Sequence, residues 1–173
     1  MERYVPDIYQ KNIHSINYDS LVSRGIKCLL FDLDNTIAPI DSKLPTKEVK
    51  RLFHILKKKG FKIVLFSNSP KTRVKRFADA LNVESCSNAK KPSPDKFLSV
   101  IKVLGYNFSE VAIIGDSMID DIAGGNGVGI TTILVNRLAR KEYPFAWLKR
   151  KYEKRVVKKL RNKDLFTRGR YYE

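Results

Sequence analysis

The run Phe31-Asp32-Leu33-Asp34-Asn35-Thr36 places two carboxylates two residues apart, at the end of an apolar run that begins at Ile26. A run of this kind is typical of a buried parallel strand, so both aspartates are expected at its carboxyl end. Open α/β sheets place their active sites at this end. One carboxylate could act as a nucleophile or metal ligand while the other, in a different environment, transfers a proton. A solvated Asp/Asn turn is the alternative that the hexapeptide alone leaves open.

Three later segments carry further polar groups at comparable positions, each after an apolar strand or at a loop-to-helix junction. Residues 63–69 (IVLFSNS) end in hydroxyl and amide groups, and residues 89–94 (AKKPSP) fix a lysine just before a proline. Residues 111–117 (VAIIGDS) end in a carboxylate and are followed by Asp120 and Asp121. Since all three follow the first motif in chain order, they favour one composite catalytic site over a set of unrelated turns.

The elements that would hold these groups alternate between strand and helix. The apolar runs and their punctuation predict strands near 26–33, 61–67, 83–86, 111–115 and 130–135 and helices near 46–59, 71–81, 94–104, 118–126 and 145–161. Such alternation indicates βαβ units with right-handed crossovers and a parallel sheet covered on both faces. Residues 1–25 predict one or two short amphipathic helices packed on the domain. We therefore expect an N-terminal segment (1–25), an α/β core (26–136) and a basic helical tail (137–173).

The four motifs resemble those of the haloacid dehalogenase (HAD) superfamily of aspartate-nucleophile phosphohydrolases. Asp32-Leu33-Asp34-Asn35-Thr36 is similar to the opening motif of its phosphatases, in which an acid stands two residues past the nucleophile. Further features resemble the capless class III (HAD-IIIA) branch that includes YqeG and the phosphatidylglycerophosphate phosphatases: Pro6, Gly25-Ile26-Lys27, Lys90-Lys91-Pro92, Gly124-Gly125-Asn126 and the basic tail. The resemblance implies a Rossmann-like five-stranded sheet of order 3-2-1-4-5, without a cap domain.

The resemblance also implies a reaction. Asp32 would attack phosphorus and form an aspartyl-phosphate, and Asp34 would act as general acid and then general base. Two carboxylates beside a phosphate dianion call for a hard cation, and oxygen-only ligation suits Mg²⁺. By resemblance the ligands would be the Asp32 side chain, the Asp34 backbone carbonyl and Asp116, with Asp121 as the second acid of the last motif. Asp120 is the rival of Asp121, and its alternative role is an acid near a helix N-terminus.

In the same resemblance, the two middle motifs, residues 63–69 and 89–94, bind the phosphoryl group. Ser67 would donate a hydrogen bond to a phosphoryl oxygen, and Asn68 would assist through its backbone or amide. An Asn-Ser turn after a strand is the competing interpretation. Lys91 would neutralise the phosphorylated aspartate, because it directly precedes the proline; Lys90 is its rival. Ser117 and Gly127 depart from the branch, which often has glutamine and arginine there, so they bear on substrate preference.

The spacing of the motifs predicts an uncovered site. Residues 36–66 accommodate a loop, a helix and a strand, and residues 68–89 a helix and a short strand, so neither interval has room for a lid domain. An open site cannot enclose a small metabolite, and we expect a partner that helps to cover it, such as a macromolecule or a membrane surface. The resemblance suggests phosphatidylglycerophosphate as the substrate. A polynucleotide or phosphoprotein phosphatase and a non-catalytic basic RNA- or membrane-associated protein are the alternatives.

The charge distribution bears on that partner. The net charge is +16, and residues 137–173 hold 14 Lys and Arg against 4 Asp and Glu. An apolar stripe at helical spacing runs through this tail: Phe145, Leu148, Tyr152, Val156 and Leu160. With Trp147 near its start, such a helix suits the interface of anionic lipid. Alternatively, the stripe packs on the domain and the lysines are merely solvated, or the charge attracts nucleic acid, for which no recognition motif is present.

The remaining composition points to a cytoplasmic protein. No apolar stretch has the length of a membrane-spanning helix, and the N-terminus lacks the apolar region of a signal peptide. Cys28 and Cys86 have no metal-binding spacing and are expected to be reduced. His14 and His54 are isolated, and we expect neither to bind a metal.

Overall fold

The computed structural model describes all 173 residues. Its strands are β1 (Ile8–Gln10), β2 (Cys28–Phe31), β3 (Lys62–Phe66), β4 (Glu84–Cys86), β5 (Val111–Gly115) and β6 (Thr131–Val135). Its α-helices are α1 (Tyr18–Ser23), α2 (Lys47–Lys58), α3 (Lys71–Leu81), α4 (Pro94–Leu104), α5 (Ala123–Val128) and α6 (Ala146–Asn162). A π-helical turn, Met118–Ile122, precedes α5.

The six strands form one parallel sheet of order β1-β6-β5-β2-β3-β4. The five strands from β2 onward therefore follow the order 3-2-1-4-5, which confirms the predicted α/β topology with β2 at its centre. The sixth strand, β1, was not predicted. It extends the edge beside β6, where Ile8 pairs with Ile133 and Gln10 with Val135.

The N-terminal segment was expected to be helical, and this is wrong for residues 8–10. Ile8 and Tyr9 are almost fully buried, and the Tyr9 ring packs on Phe166 with centroids 5.0 Å apart. The backbone of Tyr9 also exchanges two hydrogen bonds with Tyr172, of 2.9 and 3.0 Å. A three-residue strand is too short to show a period of two in the sequence, so only its tertiary partners identify it.

Both faces of the central strand are covered, as the apolar run indicated. Leu29 and Phe31 point to a larger cluster with α2 and α3, and Cys28 and Leu30 point to a smaller cluster with α4. The helix α2 is capped by Thr46, whose hydroxyl accepts a hydrogen bond from the Val49 N–H at 3.2 Å. The sheet and its helices thus fix the carboxyl ends of β2, β3 and β5 in one place.

The intervals between the motifs contain no lid domain. A loop and α2 fill the chain between β2 and β3, and α3 and β4 fill the chain up to Lys91. No helix in the structure has both the length and the hydropathy to cross a bilayer. The mouth of any site at the carboxyl ends of the strands is bordered instead by the segment that leads into α6.

The helix α6 packs on the domain through only part of its apolar stripe. Val156 and Leu160 are buried against Met118, Leu134 and Tyr9. Phe145, Leu148 and Tyr152, which belong to the same predicted stripe, are respectively 77%, 55% and 49% exposed. The stripe therefore divides into a buried C-terminal half and an exposed N-terminal half.

Candidate active site

The predicted site residues meet at the carboxyl edge of the sheet. Asp32 follows β2, Ser67 follows β3 and Asp116 follows β5, and they line one open pocket of about 580 Å³. Asp34, Asn68, Lys91 and Asp121 line the same pocket. The sequence motifs, which are up to 89 residues apart, are therefore neighbours because parallel strands present their carboxyl ends at a common edge.

Lys91 lies at the bottom of this pocket and is 5% exposed. Its ammonium group donates to Asp32 Oδ1 at 2.8 Å, to Asp121 Oδ1 at 2.6 Å and to the Phe66 carbonyl at 2.8 Å. Burial lowers the pKa of Lys91, but the charges of Asp121 and Asp32 outweigh that effect and raise it above its usual value. Lys91 is therefore a fixed cation between two carboxylates. Lys90 is exposed and makes no contact with these acids.

Three buried carboxylates, those of Asp32, Asp116 and Asp121, form the acidic part of the site. One oxygen of each lies within 4.8 Å of one oxygen of each of the others. Burial raises the pKa of all three: that of Asp116 to about 7, with a further contribution from the charge of Asp32, and that of Asp121 well above its usual value. Such crowding of like charges is unfavourable unless cations compensate it. A donor set made of oxygens alone fits a hard dication such as Mg²⁺.

Burial and local packing distinguish Asp121 from Asp120 as the second acid of the site. Asp121 is 1% exposed, and its Oδ2 accepts from the Ser117 N–H at 3.1 Å. Asp120 also lines the pocket, but it stands outside the carboxylate cluster and pairs with Lys149 at 2.8 Å. A side chain at Gly115 would place its Cβ only 2.0 Å from Asp121 Oδ2, so a glycine at the end of β5 is required for this carboxylate to occupy the site. Asp121, and not Asp120, belongs to the carboxylate cluster.

Asp34 is held at the edge of the pocket by a separate set of contacts. Arg73 Nε donates to its Oδ1 at 2.8 Å, and the Ser69 hydroxyl donates to its Oδ2. Arg73 is itself fixed, because its guanidinium donates to the carbonyls of Ser42 at 2.6 Å and Pro39 at 3.1 Å. The two aspartates of the first motif therefore have different environments. Asp32 is buried and faces Lys91, whereas Asp34 lies at the pocket edge and faces Arg73.

The serine and the asparagine after β3 have different roles in the structure. Ser67 is 1% exposed and accepts a hydrogen bond from the Ser69 N–H at 3.1 Å, which leaves its hydroxyl proton available to the pocket. The Asn68 amide instead bonds to the backbone of Lys91 at both ends, at 2.7 and 3.2 Å. Asn68 thereby positions Lys91, and its backbone N–H remains available to a ligand in the pocket.

One wall of the pocket comes from a part of the chain that the sequence presented as a tail. Arg150 on α6 donates from Nη2 to Asp116 Oδ2 at 2.7 Å and from Nη1 to Glu153 Oε2 at 2.6 Å, and its Nε bonds to Glu142. Burial lowers the pKa of Arg150, but Asp116 and Glu153 outweigh that effect and raise it. The guanidinium is thus shared among three carboxylates, one of which belongs to the candidate metal cluster.

The first motif also anchors this wall. Asn35 adopts a left-handed conformation (φ 60°), and its side chain donates to the Lys141 carbonyl at 3.2 Å and accepts from the Ala139 N–H at 3.3 Å. Its backbone carbonyl accepts from the Leu138 N–H at 3.0 Å. The segment that leads into α6 is therefore attached to the loop that carries Asp32 and Asp34.

Sequence reasoning missed four groups that contact the predicted residues: Ser69, Arg73, Tyr143 and Arg150. The first two follow the second motif closely, so their position after β3 was a usable signal. Arg150 is one of 14 basic residues in the last 37 positions and carried no distinguishing sequence signal. Tyr143 likewise lies in a segment without a motif.

Comparison with known proteins agrees with this geometry. The sequence model of the haloacid dehalogenase-like hydrolases matches residues 38–129. The chain is 31% identical to the probable phosphatase YqeG of Bacillus subtilis, over 92% of the chain and 93% of that protein. It is 28% identical to phosphatidylglycerophosphate phosphatase 1 of Arabidopsis thaliana, over 82% of the chain and 43% of that protein.

A solved structure shares the fold. The cobalt-bound deoxy-D-mannose-octulosonate 8-phosphate phosphatase of Haemophilus influenzae has a TM-score of 0.52 and 13% identity, over 83% of this chain and 94% of that one. The family match covers more than half of the chain, and the YqeG relative spans nearly all of it. The predicted resemblance is confirmed: the chain belongs to the haloacid dehalogenase-like hydrolases and is a phosphatase-type member of that family.

Proposed function

We propose that the protein is a Mg²⁺-dependent phosphomonoester hydrolase that acts through a phosphorylated Asp32. The observation that carries the proposal is the position of Asp32, a buried carboxylate at the base of an open pocket. Lys91 lies 2.8 Å from one of its oxygens, and the Thr36 hydroxyl donates to the other at 3.1 Å. Phosphoryl transfer depends mainly on such positioning and charge neutralisation.

In the first half of the reaction, an oxygen of Asp32 attacks phosphorus as the bond from phosphorus to the ester oxygen breaks. Asp34 gives its proton to the departing alkoxide, which leaves as an alcohol. The Ser67 hydroxyl and the Asn68 backbone N–H donate to phosphoryl oxygens, and Lys91 offsets the negative charge on the phosphorylated aspartate. Arg73 and Ser69 hold Asp34 at the pocket edge, where its carboxyl group can protonate a departing alkoxide.

In the second half, water attacks the phosphorus of the aspartyl-phosphate while Asp34 takes up one of its protons. Inorganic phosphate is released and the Asp32 carboxylate is restored, so the enzyme is unchanged over the cycle. Asp32, Asp116 and Asp121, with the Asp34 backbone carbonyl, would hold Mg²⁺, which supplies positive charge between the carboxylates and the phosphoryl group. Arg150 would keep Asp116 oriented.

We further propose phosphatidylglycerophosphate as the substrate, hydrolysed to phosphatidylglycerol at the cytoplasmic face of the membrane. The uncovered pocket supports a substrate whose bulk lies outside the protein, and the name of the Arabidopsis relative supports this lipid. A polynucleotide or phosphoprotein would also reach an open pocket, but no observation on the site favours either.

The proposal is tested by measuring phosphate release from a panel of phosphomonoesters with Mg²⁺ and with EDTA. The panel contains an aryl phosphate, phosphatidylglycerophosphate in detergent micelles, a phosphopeptide and an oligonucleotide 3′-phosphate. We expect Mg²⁺-dependent release that is highest with the lipid and absent in Asp32→Asn. Release from the aryl phosphate but not from the lipid would refute the substrate. No release from any of the compounds would refute the activity and favour a non-catalytic protein.

A further inference from the structure

The mouth of the active pocket carries an unusual concentration of exposed apolar side chains. Between residues 138 and 152 six large hydrophobic residues are exposed: Leu138, Tyr143, Phe145, Trp147, Leu148 and Tyr152. Phe145 is 77% exposed, and its φ of 68° is a strained value for a bulky side chain. Phe145 also lines the pocket together with Tyr143. Exposed apolar clusters of this kind mark interaction surfaces.

The same segment is strongly basic and its charge is largely uncompensated. Arg140, Lys151, Lys154 and Arg155 are exposed and take part in no ion pair. A second cavity of about 600 Å³ lies on the other side of Arg150. Its lining combines the Trp147 ring with five basic side chains and two carboxylates: Arg137, Arg150, Lys151, Lys154, Arg168, Glu142 and Glu153. The two carboxylates pair with the three arginines, so Lys151 and Lys154 carry the uncompensated charge of this cavity. An aromatic ring beside a basic concavity fits a group that is anionic at its head and apolar behind it.

We infer that residues 143–155, named here the rim, dock the protein on a bilayer that contains anionic lipid. In this orientation Phe145, Trp147 and Leu148 enter the interface and the free basic side chains contact lipid headgroups. The pocket opens beside Phe145, so it faces the headgroup layer. The inference rests on the proposed function, because it supplies the surface from which that substrate would enter. Val156 and Leu160 are buried against the domain, so these two apolar side chains are not available for lipid contact.

Trp147 is the one tryptophan of the chain, so the protein carries its own reporter on the rim. Vesicles of phosphatidylcholine, with and without phosphatidylserine, are added to the full-length protein. Phosphatidylserine is chosen because it has no phosphomonoester and is not a substrate. We expect a blue shift of the Trp147 emission and co-sedimentation only with the anionic vesicles, both weakened by salt. No shift and no sedimentation would overturn the inference.

Substitutions on the rim are compared with matched substitutions elsewhere. Leu148→Ser keeps the reporter and should weaken vesicle binding by about tenfold, because one apolar side chain is no longer buried. Val103→Ser, which changes an 82% exposed residue on α4, should have no effect.

The double variant Lys151→Gln/Lys154→Gln should weaken binding by more than tenfold. Lys50→Gln/Lys58→Gln on α2 removes the same charge and serves as its control. Equal losses in rim and control variants would contradict the inference.

Two further readouts separate this inference from its alternatives. Hydrolysis of a water-soluble aryl phosphate should be unchanged in Leu148→Ser, because Leu148 does not line the active pocket. If the unsubstituted protein hydrolysed the aryl phosphate but did not bind anionic vesicles, the docking inference alone would be refuted. Docking without release of phosphate from any ester would refute the proposed function alone. Single-stranded RNA that displaces the protein from anionic vesicles, with a dependence on Lys151 and Lys154 but not on Leu148, would assign the surface to nucleic acid and overturn the inference.

Discussion

At the scale of the residue, the two aspartates of the first motif differ through their partners. Asp32 is buried beside the Lys91 ammonium, whereas Asp34 lies at the pocket edge between Arg73 and Ser69. Similar side chains placed two residues apart can therefore serve as nucleophile and as proton carrier. This division leads to different consequences for the loss of each carboxylate.

Replacement of Asp34 by asparagine should slow turnover by about 10²–10⁴-fold, the usual contribution of a general acid or base. With a nitrophenyl phosphate the leaving group needs no proton, so we expect the loss mainly in the second half-reaction. Phosphorylated Asp32 should then accumulate, as measured by mass spectrometry after an acid quench. An Asp34→Asn variant that turns over at the normal rate would contradict the assigned role.

Arg150 should be needed for full activity, although it lies in a basic tail. Arg150→Ala leaves Asp116 and Glu153 without their shared cation, and we expect kcat/KM to fall by about 10- to 100-fold. The Mg²⁺ concentration for half-maximal activity should change as well, which a purely structural role would not require. Arg150→Lys should recover only part of the loss, because an ammonium cannot match the planar guanidinium fork. Arg51→Ala, at an exposed residue of α2 without an ion pair, is the control.

At the scale of the element, α6 illustrates why a periodic stripe does not identify its own partner. Phe145, Leu148, Tyr152, Val156 and Leu160 share a helical period, yet the structure buries only the last two. Glu153, which lies between Tyr152 and Val156 in the sequence, is 2% exposed and forms salt bridges with Arg150 and Arg168. The helix is attached to the sheet at one end and borders the pocket at the other.

The two halves of α6 should therefore respond differently to truncation of a leucine. Leu160→Ala removes a fully buried side chain and should lower the free energy of unfolding by about 2–5 kcal/mol. Leu148→Ala, at a 55% exposed position, should change it by no more than about 0.5 kcal/mol. Urea denaturation of both variants measures the difference. Similar values for the two would mean that α6 is not packed as described.

The core strands and helices could be predicted from the sequence, because each shows a clear apolar run or helical period. The five core strands followed from apolar runs, and the meeting of Asp32, Ser67 and Asp116 followed from the parallel topology. The strand order and the place of Lys91 in the site followed from the family resemblance. The strand β1 could not be predicted, because three residues show no period and Tyr9 depends on Phe166 and Tyr172, far along the chain. Arg150 was missed because nothing distinguishes it from the other basic residues of the tail and Asp116, its partner in the carboxylate cluster, is 34 residues away.

At the scale of the whole molecule, residues 137–173 belong to the same packed unit as the sheet. They cover Tyr9, Met118 and Leu134 and supply one wall of the pocket. A chain that ends at residue 136 should therefore lose both folding and activity, because these buried side chains would be exposed to water. Circular dichroism and aryl phosphate hydrolysis measure the outcome. A folded and active truncated chain would show that the segment is a dispensable appendage.

The central claim is that Asp32 becomes covalently phosphorylated during turnover. The most direct measurement is acid quenching of the enzyme during hydrolysis of an aryl phosphate with Mg²⁺, followed by peptide mapping by mass spectrometry. The account predicts a phosphoryl group on the peptide that contains Asp32, localised to that side chain, and none in Asp32→Asn, which should not release phosphate. Sustained phosphate release by Asp32→Asn, or a phosphoryl group on another residue, would contradict the account.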